Sequence, residues 1–296
     1  MVKREQSIEV PYGWVIVFAS LALNSIALGA PNVLFVTLKP IAVDLETLRA
    51  VPSITDWRDT YFYYGIFVLV TMVPLALLLR SKPKPAAVSA TGDGAGVSAI
   101  LGMSPNLVHV ILCLATIGCC AGMAMPIVHL VSHATDLGFT RTRAAELLSL
   151  LFATAFVSRI AFGMLADRIG GTRTLLVGSS CQAIMLAAFA FVESHIGLYI
   201  CAFLFGLGFS GIMPCYPLII RTLFPVTQLG WRIGWQYLFA AIGMALGGWL
   251  GGAIFDATGG YSDAFLTGVG FNLMNLGLIG FLYVSQIKIG GSAQAA

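Results

Sequence analysis

The 296-residue sequence predicts an all-α, polytopic membrane protein with about eight transmembrane helices. Composition is the first reason. The chain is 58% hydrophobic and 10% charged, with a mean hydropathy of +0.91, whereas soluble domains run near half apolar and a quarter charged. A soluble core cannot absorb that much apolar surface, so part of the solvent is lipid. The second reason is length: eight apolar runs approach the roughly 20 residues that a helix needs to cross a bilayer core. The third is the backbone. Amide groups cannot be left bare in hydrocarbon, so the spans are helices; barrel strands would alternate polar and apolar residues, and these runs do not.

In chain order the runs cover approximately 14–38, 61–80, 107–132, 144–166, 174–193, 196–220, 233–255 and 264–286. The N-terminal MVKREQSIEVPYGW is basic but lacks a small-residue cleavage site, so the first run reads as a retained span. Residues 81–106, SKPKPAAVSATGDGAGVSAILGMSPN, form the only long polar stretch, rich in Pro, Gly and Ser as flexible linkers are. The chain therefore divides into 1–80 with two spans, a linker at 81–106, and 107–296 with six. Counting basic residues orients it. Lys3, Arg4, Arg80, Lys82, Lys84, Arg168, Arg173, Arg221, Arg232 and Lys288 fall on one side, against Lys39, Arg49, Arg58, Arg141 and Arg143 on the other. The richer side is the cytoplasmic one, which places both termini and the linker inside a plasma (inner) membrane.

Several function classes drop out. The net charge is only +3 and no basic patch interleaves with aromatics, which argues against nucleic acid as a partner. All six cysteines lie inside apolar runs without metal-site spacing and read as small hydrophobes. There is no HExxH pair, no G-x-S-x-G elbow, no phosphate-binding loop and no carboxylate pair within a span, so neither an enzyme nor a cofactor is expected.

The chemistry-bearing residues are few. GMLADRIGGTR (163–173) packs Asp167, Arg168 and Arg173 between apolar flanks, in the short turn between the fourth and fifth spans. Gly163 is expected to let a neighbouring helix approach, and Gly170 and Gly171 to end one helix and permit a tight reversal. Asp167 falls at a helix C-terminus, where the macrodipole disfavours an anion, so it needs partners; Arg168, Arg173 or a neighbouring helix end could supply them. Arg159 lies eight positions before Asp167, about 12 Å into the membrane at 1.5 Å per residue. A charge at that depth is a functional candidate able to grip a carboxylate, or else a side chain snorkelling to the interface. His129, just after Pro126, is either a substrate contact or a hydrogen-bonded structural histidine. Tyr216, between Pro214 and Pro217, lies where a broken helix could expose carbonyls to a cavity. His133 is expected at the interface and His195 in an outer turn. Gly243, Gly247, Gly248, Gly251 and Gly252 form a small-residue stripe suited to close helix packing.

GMLADRIGGTR resembles the loop signature G-x-x-x-D-R-x-G-x-R of the major facilitator superfamily. VHLVSHATDLGFTRTRAAELLSL leading into SRIAFGMLADRIGG is similar to the seventh and eighth helices of that family. FLFGLGFSGIMPCYPLIIRTLFP and GMALGGWLGGAIFDATGGYSDAF are similar to the tenth and eleventh, with the loop into the twelfth. Upstream, YGWVIVFASLALNSIALGAPNVLFVTLKPIAVDL resembles the first helix of the monocarboxylate and oxalate-type branch, and DWRDTYFYYGIFVLVTMVPLALLLR its sixth. The resemblance implies a twelve-helix fold in two halves, of which this chain lacks helices two to five, with the join near RAVPSITDWRD (49–59). Residues 1–80 are then the remnant of the N-terminal half. Losing four helices keeps the topology but removes most of one wall of the pathway.

The resemblance further implies a secondary transporter of small organic anions, monocarboxylate or oxalate-like, working by alternating access. Arg159 would engage the substrate anion, and the Asp167 loop would act as a cytoplasmic latch; His129 and Tyr216 stay further substrate-binding candidates on the residues alone, His129 at a different depth from Arg159. The branch often carries an aspartate one turn before the arginine, where this chain has Ala155, and a lysine after the first-helix proline, where Asn32 follows Pro31. Two groups associated with proton coupling are thus missing, which turns the expectation toward uniport or exchange. The alternative is a truncated, non-transporting membrane protein or assembly partner; self-association would be one way to complete the pathway.

Overall fold

The computed structural model describes residues 102–294, their side chains as far as Ile287, together with helical positions between 62 and 74. The expected span at 14–38, half of that at 61–80 and the greater part of the linker lie outside the described residues. The chain divides into two compact units, Met1–Ser89 and Ala90–Ala296, with the divide inside the 81–106 segment.

The second unit is a bundle of helices: α1 (Pro105–Asp136), α2 (Arg141–Ile169), α3 (Gly171–Phe191), α4 (His195–Phe209), α5 (Ile212–Leu223), α6 (Val226–Thr258) and α7 (Ser262–Gln294). Counting α4 and α5 as one crossing, six helices among the described residues are long and apolar enough to span a membrane. Each is about as expected from the apolar runs, with ends that reach further into polar sequence. The reason is local. Ser104 accepts a hydrogen bond from the Leu107 amide and Pro105 opens α1, while Thr140 accepts from the Arg143 amide to start α2. These caps satisfy orphan N–H groups, so the helices begin in polar sequence ahead of the apolar stretch.

The largest such extension changes a residue's place. The apolar run was expected to begin at 233, leaving Arg232 in a cytoplasmic loop; instead α6 begins at Val226, and Arg232 lies in its second turn, 2% exposed. Between α2 and α3 the chain reverses at Gly170 alone, with φ +85°, a conformation that favours glycine. Gly171 does not help end the helix as expected: it is the first residue of α3.

Two sectors organise the bundle. In one, α1 packs along α6 and α7; in the other, α2 packs along α4, with α3 touching both sectors. The glycine stripe of α6 is what lets it lie on α1. A Cβ at Gly243 would come 2.8 Å from the Ile117 carbonyl oxygen, one at Gly247 would run into the Ala121 backbone, and one at Gly251 into the His129 ring. Backbones approach this closely only where side chains are absent. At Gly163, expected to admit a neighbour, a Cβ would meet nothing within 4 Å among the described residues, and the residue is exposed.

Candidate functional site

The sixth predicted span is not one helix. It breaks at Ser210–Gly211, between α4 and α5. The sequence pointed instead to Pro214 and Pro217, but Pro214 occupies the first turn of α5, where its missing N–H would have no partner anyway. The break frees carbonyls that lipid cannot satisfy, and α2 supplies the remedy. Ser158 donates its hydroxyl to the Leu207 carbonyl, and the next residue, Arg159, donates Nε–H to the Ser210 hydroxyl at 2.9 Å. The aromatic ring of Phe162, one turn on, lies against Gly211 so closely that a Cβ would overlap it. Three side chains of one α2 segment are thus fixed on the break.

Arg159 is half-buried, and Ser210 is 2% exposed. Among the described residues no carboxylate pairs with the guanidinium, and only its Nε is engaged by the protein. The Nη1–Nη2 edge therefore has no protein acceptor among the described residues. That edge can donate two parallel N–H···O bonds to one carboxylate.

The other two expected site residues stand elsewhere. His129 is 9% exposed; its Nε2 lies 2.9 Å from the Gly248 carbonyl oxygen and its ring is tilted against Tyr261. Tyr216 is 1% exposed and donates to Asn275 Oδ1 at 2.8 Å, while Asn275 in turn donates to Ser179 Oγ. No hydrogen bond among the described residues joins Arg159, His129 and Tyr216. His133, expected at the interface, is buried against Tyr261 and Phe265, and His195 opens α4, stacked on Phe139 at 4.0 Å between centroids. Tyr261, in the turn between α6 and α7, has its phenol pushed above the usual range by burial.

In the expected latch, Asp167 and Arg168 are exposed in the last turn of α2. Among the described residues neither forms an ion pair. Arg173 turns away from Asp167: its Nε donates to the Tyr283 hydroxyl at 2.8 Å, with the guanidinium 5.5 Å from that ring's centroid. The contact ties the start of α3 to α7.

The sequence model of the Major Facilitator Superfamily matches residues 110–294. The chain belongs to that superfamily. Monocarboxylate transporter 13 of Bos taurus is 27% identical over 275 residues, spanning 90% of this chain and 64% of the relative. The MFS-type transporter opdF of Penicillium oxalicum is 31% identical over 173 residues, 57% of this chain and 41% of that protein. The chain thus spans less than two thirds of the curated relatives it matches. Among solved structures, the FucP transporter in its outward conformation has the same fold at a TM-score of 0.54, with 16% identity, over 76% of this chain and 55% of that one. Another structure, of the E. coli fucose:proton symporter FucP, gives a TM-score of 0.56 at 15% identity, over 83% of this chain and 64% of that chain. The superfamily and the multi-pass helical architecture read from the sequence stand. Its relatives are transporters, not enzymes.

Proposed function

We propose that the protein carries a small organic anion, a monocarboxylate or short dicarboxylate, across the plasma membrane, and that Arg159 grips its carboxylate at the α4–α5 break. The carrying observation is the Arg159–Ser210 contact. One nitrogen holds the guanidinium in place while its outer edge meets no acceptor among the described residues, so a carboxylate becomes the missing counter-ion. A desolvated charge lacking such a partner costs several kcal/mol, which gives the anion its affinity. Homology to monocarboxylate transporter 13 supports the substrate class. His129 and Tyr216 hold helices around the site rather than touching the anion, because their polar atoms are committed to Gly248 and Asn275.

Alternating access would follow the family pattern, with both termini cytoplasmic and the Asp167 loop at the inner edge. Asp167 then has its partner in another state of the cycle. With Ala155 and Asn32 where that branch often places its proton-coupling groups, uniport or exchange is the favoured mode.

The 64% span against the relative favours a second reading that the same experiment separates. In it the chain lacks helices two to five and is an assembly partner, or works only when another copy supplies the missing wall. The test is uptake of labelled formate, lactate, pyruvate and oxalate into proteoliposomes, with and without a pH gradient. Saturable flux that falls about 100-fold in Arg159→Gln, the cost of roughly 3 kcal/mol of charge-assisted binding, is the expected result. No flux from correctly inserted protein would favour the non-transporting reading.

A further inference from the structure

Acidic side chains in the bundle are segregated along its axis, although Arg141 and Arg143 share their end. Of the carboxylates in the described residues, Asp136, Glu146, Glu193, Asp256 and Asp263 all fall at the end where α1 and α6 finish. The other end, where α1, α3 and α6 begin, has Asp167 alone against Arg168, Arg173, Arg221 and Arg232. Neither α1 nor α6 has an acidic residue in its first turn, and α6 has no side-chain cap. Two helix N-termini therefore bring their partial positive charge to an end that is already cationic.

Arg232 is the centre of this end. Its guanidinium carbon lies 4.0 Å from the Phe224 ring centroid and 4.3 Å from that of Trp231, and the residue is 2% exposed. Nε and Nη2 donate to Gln228 Oε1 at 3.0 and 2.9 Å, and Nη2 also reaches Asn106 Oδ1 in the first turn of α1 at 3.2 Å. These are neutral acceptors. Nη1 is buried and has no hydrogen-bond partner among the described residues. His109, one turn into α1, packs edge-on to both Trp231 and Phe224, and its buried Nδ1 likewise has no partner among the described residues. Asp167, the single acid at this end among the described residues, is exposed and pairs with none of these groups.

A sequestered guanidinium with only amide acceptors and an orphaned donor is a costly arrangement unless an anion completes it. We propose that Arg232, with the first turns of α1 and α6, forms an oxyanion site for a phosphate group, taken from an anionic lipid headgroup or from free phosphate. Nη1 donates to a phosphate oxygen. Trp231 is the cover: it is 48% exposed, so its indole can swing outward and open a path to Nη1 from the membrane edge. Trp231 and Trp235, both about half exposed on the first turns of α6, are placed as interfacial aromatics are, at headgroup depth. The site is separate from Arg159, which lies on α2 at the helix break.

Asn106 offers a clean test, because it is exposed and already touches Arg232. Asn106→Asp places a carboxylate of the chain's own beside the guanidinium and in the first turn of α1, doing internally what the anion does. The probe is thermal unfolding, read by a thiol-reactive dye at the buried cysteines. The protein is held in dodecyl maltoside after phosphorus analysis shows that lipid has been removed. Inorganic phosphate and phosphatidylglycerol are titrated separately, against chloride at equal ionic strength. The expected result is a rise of roughly 5 °C in the wild type, a higher starting temperature for Asn106→Asp, and a response near zero in both Asn106→Asp and Arg232→Met. A shift with phosphatidylglycerol alone assigns the site to a headgroup; a shift with both admits free phosphate. No shift with either probe, or an undiminished shift in Asn106→Asp, overturns the proposal, and that arm stands even if Arg232→Met fails to fold.

Discussion

The bundle contains two arginines below its surface, and they are buried in opposite ways. Arg159 belongs to the α2–α4 sector, half-buried, with one hydroxyl as its anchor and its outer edge without a protein acceptor. Arg232 belongs to the α1–α6 sector, closed between two aromatic rings, with two amide oxygens as acceptors and one nitrogen stranded. Depth alone does not separate them. The partner set does: a serine that fixes one nitrogen leaves the fork of a guanidinium for a ligand that comes and goes, whereas an aromatic box holds the group for a ligand that stays. Lipid makes the distinction matter, because water cannot quietly fill the missing contacts.

The sharpest way to break the comparison is to disturb one sector and leave the other alone. Gly247→Val does this. Its side chain would run into the Ala121 backbone and push α6 off α1, at a cost of about 3 kcal/mol from overpacking. The unfolding temperature should fall by roughly 10 °C, and the phosphate response should weaken with it, since Asn106 and Arg232 sit on the two helices being parted. Arg159 and Ser210, on α2 and after α4, should keep their geometry. Gly163→Val is the matched control: a Cβ there meets nothing within 4 Å among the described residues, so its unfolding temperature should stay near wild type. Equal losses in the two variants would mean that the glycine stripe does not set the α1–α6 distance.

How much of this was legible in the sequence follows the same division. The stripe on α6 and the turn glycine at 170 could be read because each answers a single local demand, a close approach or a positive φ. The spans could be read because hydropathy integrates over 20 residues. Arg232 is not legible, because the apolar run starts after it, and the polar first turns of α6, which begin at Val226 without a side-chain cap, are lost in an average. The break was placed at Pro214 and Pro217, the conspicuous breakers, yet it falls at Ser210–Gly211, where Ser158 and Arg159 from another helix make it affordable. Nothing in residues 205–215 alone announces that help. His109 escaped notice for a related reason: it becomes interesting only once Trp231 and Phe224 lie against it.

A milder change tests whether the break positions Arg159. Ser210→Ala removes the one hydroxyl that Nε engages, leaving the charge and the Ser158–Leu207 staple in place. The guanidinium then has a wider set of orientations, so substrate must fix it on binding. KM for the best carboxylate should rise about 5-fold, equivalent to roughly 1 kcal/mol of lost anchoring, while maximal flux changes little. Ser210→Thr should restore KM, because it returns a hydroxyl. An unchanged KM in the alanine variant would show that Arg159 is held by something other than the break.

The smallest effect belongs to Arg173. Sequence grouped it with Asp167 as one charged cluster, but its Nε is on Tyr283 and its guanidinium over that ring. An exposed contact of this kind is weak, being screened and bought with side-chain entropy. Arg173→Gln should therefore move the unfolding temperature by no more than about 2 °C. Tyr283→Phe keeps the ring and loses the hydroxyl, and should move it less. What matters is transport. If Arg173 serves the latch with Asp167 in another state, Arg173→Gln and Asp167→Asn should slow flux without adding to one another, since either change already breaks the same pair. If instead Arg173 only ties α3 to α7, the two losses should multiply, and the cluster read from GMLADRIGGTR would be two separate devices that happen to share a turn.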